Sequence, residues 1–239
     1  MGGQADTIGI AEARSILAWW LQAGVDVAVQ EEPRDWLKTS SPKPQAKVPE
    51  GLAEPNIAKV SHDTLAELQN WLASSAQLPL ASSTARRIMP HGPEKAAIML
   101  MSEAPTLEDF AAGQPIGGQS WELTRRMLAA IKIPVDQAYS ASLSCLHVPG
   151  AKLSSSDRAA CAEIARHHIA LAKPQRLLLL GEGPAQALLG KALPQARGHV
   201  HKIEGVRTVA TFHPRQLINQ PSNKSLAWKD LLLLMEDES

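Results

Sequence analysis

From Ala96 onward, short apolar runs alternate with stretches in which apolar residues recur at helical spacing. The apolar runs predict buried strands over residues 96–101, 138–143, 176–180 and 207–212. The helical stretches cover about residues 120–131, 156–171, 183–190 and 224–235. Strands that alternate with helices favour right-handed crossovers and a parallel sheet covered on both faces. The pattern therefore predicts an α/β fold, with three α/β/α layers around a central four-stranded parallel sheet.

The N-terminal part of the chain has a different pattern. Residues 8–23 place Trp19 and Trp20 on one apolar face at helical spacing, which predicts a helix that docks on the main domain or on a partner protein. Residues 39–57 contain repeated prolines and little to bury, as is typical of a linker. After them, Thr64 opens a capping-box pattern at the start of a further helix. The predicted organisation is a helical arm over 1–38, a Pro-rich linker over 39–57 and the α/β domain over 58–239.

Two residues with reactive side chains lie just beyond the ends of predicted strands. Glu103 follows the first apolar run, and His213 follows the last one. In open α/β sheets, ligands bind just beyond the carboxyl ends of the strands. Glu103 and His213 are therefore the candidates for chemistry, although a solvated loop carboxylate and a structural histidine explain the same pattern. Only a fold in which both face one crevice supports the chemical interpretation.

Composition narrows the class of protein without identifying it. The chain has 239 residues, 44% of them apolar, so it can form a full core, and its formal net charge is zero. Basic residues accumulate late in the chain, where they form either a phosphate-binding surface or an ordinary solvated face. The two cysteines provide no disulfide framework, no apolar run approaches the roughly 18 residues of a membrane span, and the N-terminus lacks a signal-peptide pattern. We therefore expect a cytoplasmic protein without membrane association.

Four short motifs follow one another along the α/β region. They are Ser102-Glu-Ala-Pro-Thr, Gly113-Gln-Pro-Ile-Gly-Gly, Tyr139-Ser-Ala-Ser with Pro149-Gly, and Thr211-Phe-His-Pro-Arg-Gln-Leu. Each is weak alone, but their order and spacing resemble the uracil-DNA glycosylase superfamily, closest to the family-four branch that normally carries an iron–sulfur cluster. The resemblance spans roughly residues 61–236 and implies the glycosylase fold. The arm and linker resemble those of bacterial members, which implies a location in the bacterial cytoplasm and nucleoid.

The resemblance also implies roles for individual residues in cutting a base–sugar bond of DNA. Glu103 takes the role of a carboxylate that orients water or stabilises the cationic sugar, and His213 donates to the base oxygen. The base leaves the stack and enters a pocket, and a side chain after His213, Leu217 or Arg215, fills the gap. The implied base-binding residues are Ala104, Pro105, Ile116 and Ser142. The implied DNA-binding residues are Pro214, Arg215, Leu217, Arg197 and Lys224.

Several positions depart from the resembled motifs. Ser102 replaces a glycine, Ile116 replaces a stacking phenylalanine, and Ser142 replaces the asparagine that reads the uracil edge, so uracil specificity is not implied. An iron–sulfur cluster needs four cysteine ligands. Only Cys161 aligns with one of the cysteine ligand positions of the resembled family, and Cys145 lies one position before another expected ligand position. We predict no iron–sulfur cluster and no other metal site.

Three functional hypotheses remain. The first is an active DNA glycosylase of base-excision repair for uracil or a related damaged base, with damaged DNA as its partner. The second is a weakened or inactive DNA-binding or repair-partner protein on the same scaffold, with the N-terminal helix as a protein-docking element. The third is a nucleotide-binding enzyme of unrelated chemistry, which no Gly-rich phosphate motif supports.

Overall fold

The computed structural model describes residues 62–82, 84–148 and 153–236, and the predicted arm and linker lie outside these ranges. Its centre is a five-stranded sheet of β2 (Ile98–Ser102), β3 (Ala138–Ser142), β5 (Arg176–Leu180), β6 (His201–Ile203) and β7 (Val206–Thr211). Two shorter strands, β1 (Arg86–Arg87) and β4 (Leu146–His147), form a separate antiparallel pair. The division into arm, linker and domain stays a prediction.

The central sheet has the strand order β3-β2-β5-β7-β6. The first four strands are parallel, with Leu100 of β2 opposite Leu178 of β5, and Leu178 opposite Val209 of β7. The predicted α/β class and its four parallel strands are confirmed. The fifth strand, β6, runs antiparallel to β7 at the edge of the sheet. It was not predicted, because its three residues form no apolar run.

Helices pack on both faces of this sheet. The described α-helices are α1 (Leu65–Ser74), α2 (Leu107–Ala112), α3 (Gly118–Ala130), α4 (Ser155–Ala172), α5 (Glu182–Leu189), α6 (Leu193–Ala196), α7 (Pro214–Asn219) and α8 (Lys224–Met235). Single 3-10 turns cover Val135–Gln137 and Pro221–Asn223. The four helices predicted from Ala96 onward correspond to α3, α4, α5 and α8, whereas α2, α6 and α7 are too short to show a period. Within the described ranges, no helix has both the length and the apolar character that a membrane crossing requires.

Strand β2 shows why the sheet lies between two apolar layers. It is buried along its whole length, and its side chains alternate between two apolar clusters. Met99 and Met101 pack with residues of α1, α4, α5 and α6, whereas Ile98 and Leu100 pack with residues of α3 and α8. Full burial of such a side chain contributes about 1.5–3 kcal/mol to the free energy of folding. A strand buried on both faces reads as a continuous apolar run, which is the pattern seen in the sequence.

Side-chain caps determine where two of the helices begin. At α1, Thr64 Oγ1 accepts a hydrogen bond from the Glu67 amide at 3.2 Å, in agreement with the predicted cap. At α4, Ser154 Oγ accepts from the Asp157 amide at 3.1 Å, and Asp157 Oδ2 accepts from the Ser154 amide at 3.3 Å. Such a cap contributes about 1 kcal/mol. The cap at α4 also fixes the position of Arg158, which follows Asp157 and faces the site described next.

Candidate active site

A cavity of about 600 Å³ lies beyond the carboxyl ends of β2, β5 and β7. Glu103 follows β2, Gly181 follows β5, and His213 lies two residues after β7, and all three line the cavity. Parallel strands place their carboxyl ends at one edge of the sheet, so residues far apart in sequence meet there. The structure thus brings together the acid and the imidazole that the sequence pattern singled out. Their chemical roles stay a prediction.

His213 is held as an uncharged ring at the first turn of α7. It is the N-cap of that helix, and its Nδ1 accepts a hydrogen bond from the Arg215 amide at 3.1 Å. Because Nδ1 is an acceptor, the hydrogen of the neutral ring lies on Nε2. Burial, together with a smaller effect of the Arg215 guanidinium, lowers the pKa of His213 to about 4, and the Asp109 carboxylate acts in the opposite direction. At neutral pH the ring is therefore an uncharged donor through Nε2.

Glu103 lies in a loop that remains hydrogen-bonded to the sheet. Its carbonyl oxygen accepts from the Ser144 amide at 3.0 Å, in the segment that follows β3. Its side chain is 45% exposed, and Oε1 lies 3.8 Å from Nη2 of Arg158 on α4. Gly183 of α5 packs against the carboxylate so closely that an added Cβ would lie 2.3 Å from Cδ of Glu103. The half-exposed carboxylate thus lies beside a guanidinium and a glycine backbone.

Arg158 is a cavity residue that the sequence analysis missed. Besides facing Glu103, its Nη1 donates to Oε1 of Gln186 at 2.5 Å. Its Nε is buried and has no hydrogen-bond partner among the described residues. The sequence does not indicate that Arg158 lines a cavity, because a single arginine near the start of a helix is usually an ordinary solvated residue. Its proximity to Glu103 follows only from the packing of α4 at the cavity.

A buried carboxylate joins the Glu103 loop to the His213 helix. Asp109, which is 1% exposed, is the third residue of α2 and completes a capping box with Thr106. Its Oδ2 accepts from the Thr106 amide and hydroxyl, each at 2.7 Å, and from Arg215 Nη2 at 3.1 Å. Its Oδ1 accepts from the Gly117 amide at 2.6 Å. Asp109 therefore connects three residues, of which Thr106 and Arg215 line the cavity.

His147 also lines the cavity and was not predicted as a site residue. It lies in β4, where it pairs with Arg86 of β1. Its ring Nδ1 lies 2.8 Å from the carbonyl oxygen of Pro105, in the Glu103 loop. A carbonyl oxygen only accepts, so Nδ1 of His147 carries the hydrogen. The sequence held no signal for this contact, because β4 has two residues and no apolar run.

The implied base-binding residues divide into two groups. Ala104 and Pro105 line the cavity, in line with their place in the Glu103 loop. Ile116 does not line it, because it is 1% exposed and packs in the apolar cluster beneath α3 and α8. Ser142 lies outside the cavity as well, and its hydroxyl accepts from Ser102 Oγ at 3.0 Å. Among the described residues, no phenylalanine, tyrosine or tryptophan lines the cavity, so the rings available to a bound base are imidazoles.

The implied DNA-binding residues are likewise separated by the structure. Arg215 lines the cavity and is 39% exposed, and Lys224 is exposed at the start of α8. Leu217 is only 1% exposed, so it cannot fill a gap in the DNA without leaving the core. Pro214 is buried as the first residue of α7. Arg197 is 13% exposed, because it pairs with Asp230 at 2.8 Å and packs over the ring of Phe212.

The residues near the two cysteines do not fit an iron–sulfur cluster. Cys145 and Cys161 line a cavity of only about 10 Å³, together with apolar residues such as Leu72, Leu78 and Ile164. Burial raises the pKa of Cys145 to about 11 and that of Cys161 to about 12, so both are protonated thiols at neutral pH. A cluster needs four thiolates, and the described part of the chain holds no group of three or more histidine, cysteine, aspartate or glutamate residues suited to a metal.

The fold and the cavity define an α/β protein with a crevice at the edge of its sheet, the place where open α/β sheets bind ligands. Residues 89–233, more than half of the chain, match the family described as the Uracil DNA glycosylase superfamily. The chain therefore belongs to the uracil-DNA glycosylase superfamily, and the expected family is confirmed.

Two curated relatives are named as type-4 uracil-DNA glycosylases, which is the branch that the sequence motifs resemble. The type-4 uracil-DNA glycosylase of Pyrobaculum aerophilum is 22% identical over 180 residues, which cover 71% of this chain and 92% of the relative. The type-4 uracil-DNA glycosylase of Archaeoglobus fulgidus is 23% identical over 141 residues, which cover 54% of this chain and 71% of the relative. The chain is thus similar to family-four proteins over most of their length.

Proposed function

We propose that the protein is a DNA glycosylase of base-excision repair, which hydrolyses the N-glycosidic bond of uracil or a related damaged base in DNA. The observation that supports this most is the common cavity of Glu103 and His213 at the sheet edge, in a chain of this superfamily. A base in duplex DNA has to leave the stack before such a cavity can hold it. The volume of about 600 Å³ lies within the range of small-ligand sites.

His213 stabilises the departing base in this mechanism. Breaking the base–sugar bond leaves negative charge on the base, and a donor aimed at that charge acts more strongly in the transition state than in the ground state. The Nε2–H of His213 is such a donor, because Nδ1 is already occupied by the Arg215 amide. Since the pKa of His213 is lowered to about 4, the ring donates without having to be charged at neutral pH.

Glu103 acts on the sugar side of the bond. As a carboxylate it orients the attacking water or stabilises the positive charge that develops on the sugar. Arg158, with Nη2 at 3.8 Å, and the close backbone of Gly183 restrict where the carboxylate can point. The roles of His213 and Glu103 require no iron–sulfur cluster, and the absence of a cluster remains part of the proposal.

The test is a single-turnover excision assay on oligonucleotides that contain one uracil. Glu103→Gln removes the charge and keeps the shape, and we expect excision to fall by about 10²–10⁴-fold. His213→Asn keeps an oxygen to cap α7 but removes the Nε2 donor, and we expect a fall of about 10²–10³-fold. Glu122→Gln and His201→Asn, which change residues outside the cavity, are the matched controls. Excision that survives both cavity substitutions at the wild-type rate would remove this mechanism.

A second candidate function is supported by the two serines that are the last residues of β2 and β3. Ser102 and Ser142 bond to each other outside the cavity, so neither is directed at a bound base. This arrangement favours a weakened or inactive protein that binds damaged DNA without cutting it. Tight binding to uracil-containing or abasic DNA with no turnover of any damaged base would support it, and robust excision would exclude it.

The helix predicted over residues 8–23 is the proposed docking element for a protein partner. It lies outside the described residues, so the proposal rests on the apolar face that carries Trp19 and Trp20. A chain that begins at residue 58 tests it. Unchanged excision together with loss of a co-purifying protein would support a docking role, and loss of thermal stability alone would indicate that the helix packs on the domain.

A further inference from the structure

The cavity contains two histidines whose rings are fixed in opposite tautomers. His213 accepts a hydrogen bond at Nδ1, from the Arg215 amide at 3.1 Å, so its hydrogen lies on Nε2. His147 donates from Nδ1, to the Pro105 carbonyl oxygen at 2.8 Å, so Nε2 of its neutral ring carries a lone pair. Both residues line the same cavity. One ring therefore presents a donor and the other an acceptor.

The Nε2 atom of His147 is available to a ligand. Among the described residues it has no hydrogen-bond partner, since the contact of this ring is made by Nδ1. Its orientation is fixed from two sides, because His147 is paired to Arg86 in the β1–β4 strand pair and bonded to the Glu103 loop. A ring held in this way cannot exchange its donor and acceptor nitrogens without breaking the bond to Pro105.

Other polar side chains of the cavity are less suited to reading a base edge. The Glu182 carboxylate is occupied, because it accepts from the Leu193 amide at 2.8 Å and from Gln186 Nε2 at 2.5 Å. Gln216 has a terminal amide, which offers a donor or an acceptor according to how it is rotated and so does not discriminate. Ser142, at the position from which the sequence motif implied base reading, lies outside the cavity.

The chemistry of deaminated bases matches a fixed acceptor. Uracil and hypoxanthine each have a ring N–H beside a carbonyl group, whereas cytosine and adenine, from which they arise, have an unprotonated ring nitrogen at the same place. An acceptor directed at this imino N–H pairs with the deaminated base and meets a lone pair in the normal one. Leaving a buried polar group unpaired in this way costs more than the hydrogen bond itself provides.

We propose that His147 Nε2 accepts the imino N–H of the extruded base and thereby selects deaminated bases over cytosine and adenine. The inference rests on the proposed function, because it concerns the base that enters the glycosylase cavity. It assigns the donor to His213, which faces the departing oxygen, and the acceptor to His147, which distinguishes one base from another. His147 is therefore a specificity-determining residue for a lactam-containing base.

The experiment measures binding, so that it does not depend on turnover. Each probe oligonucleotide contains one fluoroarabino nucleotide that resists hydrolysis, with uracil, uracil methylated at the imino nitrogen, or cytosine as the base. We expect the wild-type chain to bind the uracil probe about tenfold more tightly than either of the other two. His147→Asn keeps a donor for Pro105 but has no acceptor at the position of Nε2, so the three affinities should become equal within about twofold.

Two further variants make the result specific. His147→Phe removes both ring nitrogens and should also abolish the preference, whereas His147→Gln keeps an acceptor near the former Nε2 and should retain part of it. His201→Asn is the matched control, because His201 also donates to a backbone carbonyl, that of Ala196 at 2.8 Å, but lies outside the cavity. Thermal unfolding of every variant shows whether it is folded. If His147→Asn does not fold, His147→Phe provides the test.

The outcomes separate this inference from the proposed function. A wild-type chain that excises uracil but binds the three probes equally overturns the role of His147 and leaves the glycosylase intact. A chain that prefers the uracil probe and never excises it overturns the glycosylase and supports base reading by His147. A preference that persists in both His147→Asn and His147→Phe also overturns the inference, because another acceptor then reads the base.

Discussion

The link that Asp109 makes between the Glu103 loop and the His213 helix leads to a quantitative prediction. Asp109→Asn keeps an oxygen for the Gly117 amide but places an NH₂ group among three donors, the Thr106 amide, the Thr106 hydroxyl and Arg215 Nη2. Removing one partner of a buried ion pair costs about 3–5 kcal/mol. Arg215 is 39% exposed and can be rehydrated, so we expect the lower end, about 3 kcal/mol of the free energy of unfolding.

The substitution should also reduce excision in molecules that remain folded. Asp109 holds Arg215, whose amide donates to Nδ1 of His213, and holds Thr106, which follows the Glu103 loop. We therefore expect the excision rate to fall by about 10²-fold at a temperature where the variant is folded, because small displacements of catalytic groups are costly. Urea unfolding gives the stability, and single-turnover excision at saturating enzyme gives the rate.

Asp230→Asn provides the matched control for this prediction. Asp230 is also 1% exposed and also pairs with an arginine, Arg197, at 2.8 Å. Its Oδ2 accepts from Thr211 Oγ1 of β7 at 2.7 Å, and among the described residues none of its hydrogen bonds reaches the Glu103 loop or α7. Its substitution should lower stability by a similar amount and leave the excision rate of the folded protein within about threefold of wild type. Equal losses of rate in the two variants would refute the reasoning, because Asp109 would then act through stability alone.

Three further predictions follow from buried groups. Burial lowers the pKa of His168 to about 4, so the unfolded chain takes up a proton between about pH 6.5 and pH 4 that the folded chain does not. The free energy of unfolding should therefore decrease as the pH is lowered. Between pH 7 and pH 5, urea unfolding should show that the wild type loses about 2 kcal/mol more of this free energy than His168→Gln does. Leu217→Ala should cost about 2–5 kcal/mol of the free energy of unfolding and leave the DNA affinity of the folded protein unchanged. Urea unfolding and DNA titration measure the two quantities, and a large loss of affinity would show that Leu217 does fill the gap in DNA. The purified chain should show no iron by metal analysis, and Cys145→Ala with Cys161→Ala should keep wild-type excision. Stoichiometric iron that is lost with the thiols would refute this.

Local pattern was sufficient to determine the main elements of the chain. Four mainly apolar runs predicted the four parallel strands, because a strand buried on both faces leaves that signal without help from distant residues. The cap at Thr64 was readable for the same reason, since donor and acceptor are three residues apart. Glu103 and His213 were found because the carboxyl end of a parallel strand is a known location for ligands, and a residue's position after an apolar run is visible in sequence.

Which of the remaining side chains reach the cavity depends on how distant elements pack together. Leu217 and Ile116 looked suited to DNA and base contacts, yet both are about 1% exposed, because apolar residues near a sheet edge are also the ones that complete its core. His147 reaches the cavity through a contact with Pro105, 42 positions away, and Arg215 reaches Asp109 across 106 positions. Such contacts depend on the packing of whole elements, on which helical and strand periodicity carry no information. The local sequence pattern therefore predicted the four parallel strands and their reactive edge, whereas the packing of loops against that edge determines which groups a bound base would meet.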